Sequence, residues 1–480
     1  MTNEDRFKPF IGGKFIDGTG GTRKIRSPWD LHVTGIVELA SPEDIEAAIA
    51  SSAAAKGPLA RAPAWRRAQW LEEILAGIRR HEDALVRTIV AEGGKPIKLA
   101  SLEVRRAIDT FSFAAEEARR IGGEVIALDA VPAGEGRIGI TRRFPAGAVA
   151  AITPFNFPLN LVAHKVAPAI AAGCPTVLKP ADQTPLTALL LARIVSDSGA
   201  PAGTLDVVPC DIAHAGPLIE DDRLRVLSFT GSAEVGWALR ARAGKKRVLL
   251  ELGGNAAAII HEDADLAHAA EKCSLGAFSH AGQVCISVQR ILVHEKIAER
   301  FIDLLLSKTR DLACGNPSDP NVVVGPMRAD ADADRVMSWI EEARTNGANV
   351  LCGGTREGRM VAPTILGDVD SDLPIWREEA FGPVAIVATY RDAEEAFQRT
   401  NSSSYGLQAG IFTNDMSVLM QAFHCLDVGA VIHDDAPTFR TDHMPYGGVK
   451  ASGIGREGVR YAIEEFTEPR LLACVCHDKP

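Results

Sequence analysis

Three short stretches carry side chains that could do chemistry on a carbonyl. In FSHAGQVCIS, residues 278–287, Cys285 follows a Gly-Gln pair with no apolar stripe to bury it. A structural cysteine usually sits among Leu, Val and Ile and behaves as a small hydrophobe. Cys285 sits instead in a stretch that reads as a loop or a helix start, which raises the question of a working thiol. A free thiol is mostly protonated at neutral pH, so such a cysteine needs surroundings that favour the thiolate. ELGGN, residues 251–255, ends the apolar run RVLLEL with Glu251. Half-burial at a strand end can raise a carboxyl pKa toward the range of a general base, and an ordinary surface glutamate at a strand end fits the same pattern. PFNFP, residues 154–158, fixes Asn156 in a stiff apolar turn. Its amide could donate to an oxyanion or cap the turn.

Two further stretches suit phosphate or ribose. In SFTGSAEVG a strand runs into Gly231 and Ser232 where a helix begins. Free N–H groups at a helix start bind pyrophosphate, and glycine lets the ligand approach. The same residues would also make an ordinary serine-capped turn. In TVLKPADQTP, Lys179 and Asp182 follow a strand at the edge where open α/β sheets bind ligands. They serve equally as a solvated charge pair. GIGREG, residues 453–458, matches the G-x-G-x-x-G spacing. With no clear strand before it and too little chain after it for a βαβ unit, we read it as a chance match.

Elements that alternate helix and strand must position these residues. Short apolar runs such as GAVAAI, TVLK, VLSF and RVLLEL suit strands buried on both faces of a parallel sheet. SLEVRRAIDTFSFAAEEARR reads as one long amphipathic helix, and WRRAQW…AEGG as a helix pair. A second α/β region starts near residue 252. GEVIALDA and RIGITRRF form a candidate two-stranded arm, and PRLLACVC a final strand. The fold class is α/β.

The chain has 480 residues, 46% apolar and 24% charged, with a net charge of −10. That balance shows no basic excess to suggest nucleic acid or anionic lipid as a partner. The longest apolar stretch, from Ala146 to Val166, is broken by prolines, asparagines and a histidine, so no membrane span is expected. MTNEDRFKPF has no apolar leader core. Nine scattered cysteines without zinc spacing suggest no metal and a reducing, cytoplasmic setting.

In order, PFNFP, LKPAD, FTGSAEVG, ELGGN, GQVC and EEAFGPV, followed by MPYGGVKASGIGREG, resemble the NAD(P)-dependent aldehyde dehydrogenase superfamily, in its lactaldehyde and semialdehyde branch. The resemblance covers nearly the whole chain. It implies a Rossmann-type cofactor domain (1–120 and 146–251), an α/β catalytic domain (252–440) and a small β arm for oligomerisation (121–145 and 459–480). It makes Cys285 the nucleophile, Asn156 an oxyanion donor with the Cys285 N–H, and Glu251 the base that activates water. Lys179, Asp182, Gly231 and Ser232 would hold NAD, with NADP also accommodated. Glu379 and Phe381 would bind the nicotinamide ribose. The family more often has Glu where Asp182 stands, which weakens the preference for NAD.

By the same alignment Arg105, His164 and Arg440 line the aldehyde tunnel. Arginine suits an anionic tail. Succinate semialdehyde and phosphate, phosphonate or sulfonate aldehydes all fit. Phosphoglyceraldehyde-oxidising relatives carry Arg before the nucleophile, where this chain has Val284. Lactaldehyde is the neutral alternative. A catalytically silent binding protein of the same fold would lack Cys285, Glu251 or Asn156, and all three are present. The arm implies a homodimer or homotetramer.

Overall fold

The computed structural model describes residues 6–476; the first five residues of the N-terminal stretch and the last four of the range 459–480 lie outside it. Among the described residues the main frame is two sheets. Five parallel strands form the centre of the first, in the spatial order Arg247–Glu251, Leu224–Thr230, Ala148–Ile152, Thr176–Lys179, Leu205–Val207. Numbered along the chain, that order is 5-4-1-2-3, the doubly wound pattern of a Rossmann-type sheet. Its switch point lies beside the first strand, where ligands bind at the carboxyl ends.

The second sheet has seven strands. Six run parallel, centred on Ala256–Ile260, Val288–His294 and Val384–Tyr390. The strand Asn349–Cys352 is antiparallel at one edge. Residues 252–255 carry the chain from the last parallel strand of the first sheet straight into Ala256 of the second. The carboxyl ends of one sheet therefore face the amino ends of the other.

The helix Asn160–Ala172 is buried on every side, as its sequence NLVAHKVAPAIAA, apolar almost all round, requires. It stops at Gly173, which takes the left-handed conformation that lets a helix end there. Its first turn is held from the long helix Ile97–Ala118. The Glu103 carboxylate accepts from Leu159 N at 2.8 Å and Asn160 N at 3.1 Å. The Lys95 ammonium neutralises that carboxylate at 2.5 Å and lies 3.5 Å from the centre of the Phe157 ring. Both charged groups are buried. Glu92 does the same for the helix Leu186–Asp197, accepting from Leu186 N and Thr187 N at 2.8 and 2.9 Å. Burial pushes its carboxyl up to about 8. Two acids thus cap the helices that follow PFNFP and LKPAD.

The arm is a three-stranded sheet in which Arg137–Pro145 pairs antiparallel with Thr467–Val475 along its whole length. Two expectations change here. In GEVIALDA only Val125–Ile126 pairs, because residues 128–134 coil into two short helical turns. In the range 459–480, Val459–Glu465 is a helix rather than arm. Val459 and Ile463 pack into the apolar core shared with the helix Asn160–Ala172. No helix among the described residues is long and apolar enough to cross a membrane.

Replacing Glu103 with alanine leaves Lys95 buried and unpaired and the helix start uncapped. We expect a loss of about 3–5 kcal/mol in urea unfolding. A midpoint within error of the wild type would rule out this pair as a support of the PFNFP turn.

Candidate active site

A cavity of about 700 Å³ opens where the two sheets meet. Cys285, Glu251 and Asn156 lie on its wall, brought together from three separate turns. The six residues expected to hold cofactor, Lys179, Asp182, Gly231, Ser232, Glu379 and Phe381, line the same space.

The turn that carries Cys285 precedes the strand Val288–His294 and is tightly specified. Gly282 has φ +65°, and a Cβ there would come within 2.2 Å of Gly382 O. The Gln283 side chain donates to His280 O and Pro326 O and accepts from Arg328 N. Asn156 Nδ2 donates to Gln283 O at 2.9 Å, which fixes the orientation of its amide. One amide hydrogen of Asn156 remains free, and its Oδ1 is buried without a partner. The Cys285 N–H also lacks a partner among the described residues. Two donors from the two turns are therefore available for an oxyanion beside the thiol. Cys285 is half-buried, and its sulfur lies 2.9 Å from the Tyr446 hydroxyl. Burial pushes the thiol up to about 11, while Tyr446 and Arg440 oppose that rise.

Glu251 ends its strand paired with Gly453, and its Oε2 is buried with no partner. Burial, then repulsion from Glu457, holds its carboxyl well above the usual range; Arg440 and Lys165 pull it back. Behind it lies a buried ionic network. Glu457 accepts from Lys165 at 3.3 Å and Arg440 at 3.0 Å. Asp442 accepts from His164 Nε2 at 2.8 Å, Asn160 Nδ2 at 3.0 Å and both Nε and Nη2 of Arg106. A carboxylate only accepts, so His164 carries its proton on Nε2, and Nδ1 is left without a partner. Burial, aided by Arg440, keeps His164 below its ordinary pKa and hence neutral.

At the far end of the cavity, Ser232 precedes the helix Ala233–Arg242 but makes no side-chain cap bond. Thr230 Oγ1 is buried without a partner. An uncapped helix start beside an unsatisfied hydroxyl fits a pyrophosphate. Gly231 is required there, since a Cβ would meet the Phe229 ring at 2.5 Å. Glu379 accepts from Gly254 N at 3.0 Å, and burial pushes its carboxyl up to about 7. Asp182 does not stand alone. Lys179 reaches it at 2.7 Å and Arg23 at 3.1 Å. Arg23 is shared with Asp211 at 2.5 Å, so two cations balance two carboxylates there and weaken the repulsion that a lone acid would exert on a 2′-phosphate.

The family model described as "Aldehyde dehydrogenase family" matches residues 15–472. The chain belongs to the aldehyde dehydrogenase family. It is 41% identical over 474 residues to a 3-sulfolactaldehyde dehydrogenase of Priestia aryabhattai, covering 98% of each chain. It is 37% identical to a lactaldehyde dehydrogenase of Methanococcus aeolicus, over 95% of this chain and 99% of the other. Aldehyde dehydrogenase 21 from Physcomitrella patens, solved with its reaction product succinate, superposes with a TM-score of 0.98 at 40% identity, over 99% of this chain and 100% of that one. Glyceraldehyde-3-phosphate dehydrogenase from Methanocaldococcus jannaschii, solved with NADP, gives 0.91 at 37% identity, over 94% and 98%.

None of the three tunnel candidates lines the cavity itself, and two of them lie in the buried network behind its wall. His164 and Arg440 are buried behind Glu251. Arg105 is not brought there: it lies on the exposed face of its helix, and the next residue, Arg106, turns inward to Asp442. The residues that sequence reasoning missed are Lys165, Asp442, Tyr446, Glu457, Arg335 and Arg23. Glu457 sits inside GIGREG, whose Gly453–Ile454 turns out to be an antiparallel edge strand of the first sheet. Arg335 lines the cavity and donates to Ala380 O, next to Glu379. The positions of Lys165 within PFNFPLNLVAHK and of Tyr446 within MPYGG were signals at hand. Among the described residues, no group of His, Cys, Asp and Glu could hold a metal ion.

Arginine-to-alanine changes at adjacent positions distinguish the two side chains. Arg105→Ala should change urea stability by no more than about 0.5 kcal/mol, as exposed positions do. Arg106→Ala should cost about 1.5–3 kcal/mol through its lost bonds to a buried carboxylate. Equal effects would refute the assignment.

Proposed function

We propose that the protein oxidises a small aldehyde with an anionic tail to its carboxylic acid, using NAD(P)+. The observation that carries this reading is Arg440. It is buried beside the catalytic wall, and its Nε has no partner. A buried guanidinium left one donor short is suited to a carboxylate or sulfonate oxygen. The sulfolactaldehyde-oxidising relative and the succinate-bound structure support an anionic substrate. The lactaldehyde-oxidising relatives favour a neutral one and define the second reading. Val284 before the nucleophile speaks against a phosphate tail.

The chain's own groups supply the nucleophile, the oxyanion donors and the base, and the oxidant is NAD(P)+. The Cys285 thiolate attacks the aldehyde carbon, a C–S bond forms, and the carbonyl electron pair moves to oxygen. Asn156 Nδ2–H and the Cys285 N–H donate to that oxyanion; losing one such donor typically costs about 2.7–4 kcal/mol of barrier. Ser232, Lys179 and Glu379 would hold NAD(P)+, which would accept the aldehydic hydrogen with its electron pair as that C–H bond breaks. The oxidised adduct is a thioester on Cys285. Glu251 takes a proton from water as its oxygen attacks the thioester carbon. The C–S bond then breaks and the acid leaves. A carboxyl held above its usual range keeps that proton well enough to act as a base.

The arm supports self-association. Leu471, Leu472 and Val475 stand exposed on Thr467–Val475, and a small isolated sheet is marginal in water. We infer a homodimer or homotetramer that covers this sheet. Nine free cysteines suit the reducing cytoplasm.

The deciding assay follows reduced-nicotinamide absorbance, with NAD and with NADP, over carboxylated, sulfonated, phosphorylated and neutral aldehydes. Carboxylated or sulfonated aldehydes should be preferred, and Arg440→Leu should lower their kcat/KM about 10–100-fold, the value of a charged hydrogen bond. Neutral aldehydes turned over as well, and equally by the variant, would establish the second reading. Light scattering should give two or four times the chain mass, and Leu471→Glu with Leu472→Lys should lower it; a monomeric wild type would sink the arm's role.

A further inference from the structure

We propose that Tyr446 is a catalytic residue: its hydroxyl donates a hydrogen bond to the Cys285 sulfur and supports it as a thiolate through attack and release. The proposal rests on Cys285 being the nucleophile.

The geometry is fixed from three sides. The Tyr446 hydroxyl lies 2.9 Å from Sγ, and no other hydrogen bond reaches that sulfur among the described residues. The Tyr446 ring is buried with Ile286 and Leu407, and Cys285 and Val284 pack against the same small cluster. Its backbone is clamped to Glu457, Tyr446 N donating to Glu457 O at 3.0 Å and Glu457 N to Tyr446 O at 2.6 Å. The hydroxyl has little freedom to point elsewhere.

The direction of the bond follows from chemistry. An ionised sulfur can only accept, so the phenol must donate. Burial pushes the Tyr446 phenol well above its ordinary value, so it keeps its proton at any working pH. The Arg440 guanidinium carbon lies 3.6 Å from the centre of the Tyr446 ring. A cation over the ring face draws electron density from it and makes the O–H a better donor. Arg440 makes no hydrogen bond to sulfur itself, so part of its influence passes through the ring. Glu251 and Glu379 act the other way, since both carboxylates disfavour a second anion at Sγ.

The bond serves both ends of the cycle. In attack the sulfur gives its electron pair to the aldehyde carbon while the Tyr446 proton stays on oxygen. In release the C–S bond breaks toward sulfur, and the same O–H meets the returning charge. Stabilising a thiolate also makes it less reactive. Lowering its pKa by one unit raises the ionised fraction about tenfold and costs about threefold in nucleophilicity, so the balance is favourable while the thiol remains mostly protonated.

The test is Tyr446→Phe, which keeps the ring, its packing and the contact with Arg440. Cys285 is alkylated with iodoacetamide across a pH series, and the modified peptide is quantified by mass spectrometry. Near neutral pH the variant should react about three- to tenfold more slowly, with the pH profile displaced upward by about one to two units. Turnover should fall at neutral pH and recover as the pH is raised. An unchanged alkylation profile would overturn the proposal while leaving Cys285 in place. Cys285→Ser separates the two ideas, because turnover that survives that change removes the nucleophile assignment itself.

Discussion

Glu457 is buried between two cations, Lys165 and Arg440, and the reactive wall takes its electrostatic character from that contact. A buried carboxylate with two partners stays ionised, and breaking such a pair typically costs about 3–5 kcal/mol. Its negative charge raises the Glu251 carboxyl, which has no partner of its own. Its hold on Arg440 keeps the guanidinium over the Tyr446 ring, and its backbone clamps Tyr446 beside Cys285. One anion thereby helps to set the base, the anchor and the environment of the nucleophile. Without it, Lys165 and Arg440 would face each other unscreened in a dry interior.

The sheets explain why this cluster can exist. Strand ends leave backbone groups and short turns where side chains can converge without breaking a ladder. Here the carboxyl ends of one parallel sheet meet the amino ends of another, joined by only four residues, 252–255. The cavity is therefore supplied from both sides by turns whose flanks are rigid. Glu92 and Glu103 extend that rigidity outward, each placing a buried carboxyl group on the first N–H groups of a helix. The same economy appears at Asn255, whose amide donates to Trp376 O, and at Gln289, which donates to Glu378 O and accepts from Ala380 N. Those bonds frame Glu379 from both sides.

Much of this was legible in the sequence, and the limits have physical causes. The parallel strands showed because burial on both faces forces continuous apolar runs. Cys285, Glu251 and Asn156 were singled out by the order of their motifs along the chain, since each local turn taken alone also suits an ordinary structural residue. Glu457 did not show: its partners Lys165 and Arg440 lie 292 and 17 residues away, and its motif was set aside as a chance match to a phosphate loop, a reading the strand pairing at Gly453 agrees with. Arg105 was chosen over Arg106 by alignment with the resembled family. Neighbours on one helix point about 100° apart, and only packing decides which one faces Asp442. Residues 459–465 were given to the arm because a short helix after a glycine-rich turn leaves too little periodicity to read.

The charge of the buried network bears on what the site can accept. Arg106, Lys165 and Arg440 stand against Asp442 and Glu457, while His164 is neutral. Bonds from His164 and Arg106 hold Asp442 ionised, well below the carboxylate range, against the burial that would raise it. Asp109, on the same helix as Arg106, faces both Arg106 and Asp442, so these three cations meet three carboxyl groups. Arg440 is held between Glu457 and the face of the Tyr446 ring, and its Nε keeps one donor without a partner. What favours an anionic tail is thus that spare donor, since the charges around it already balance.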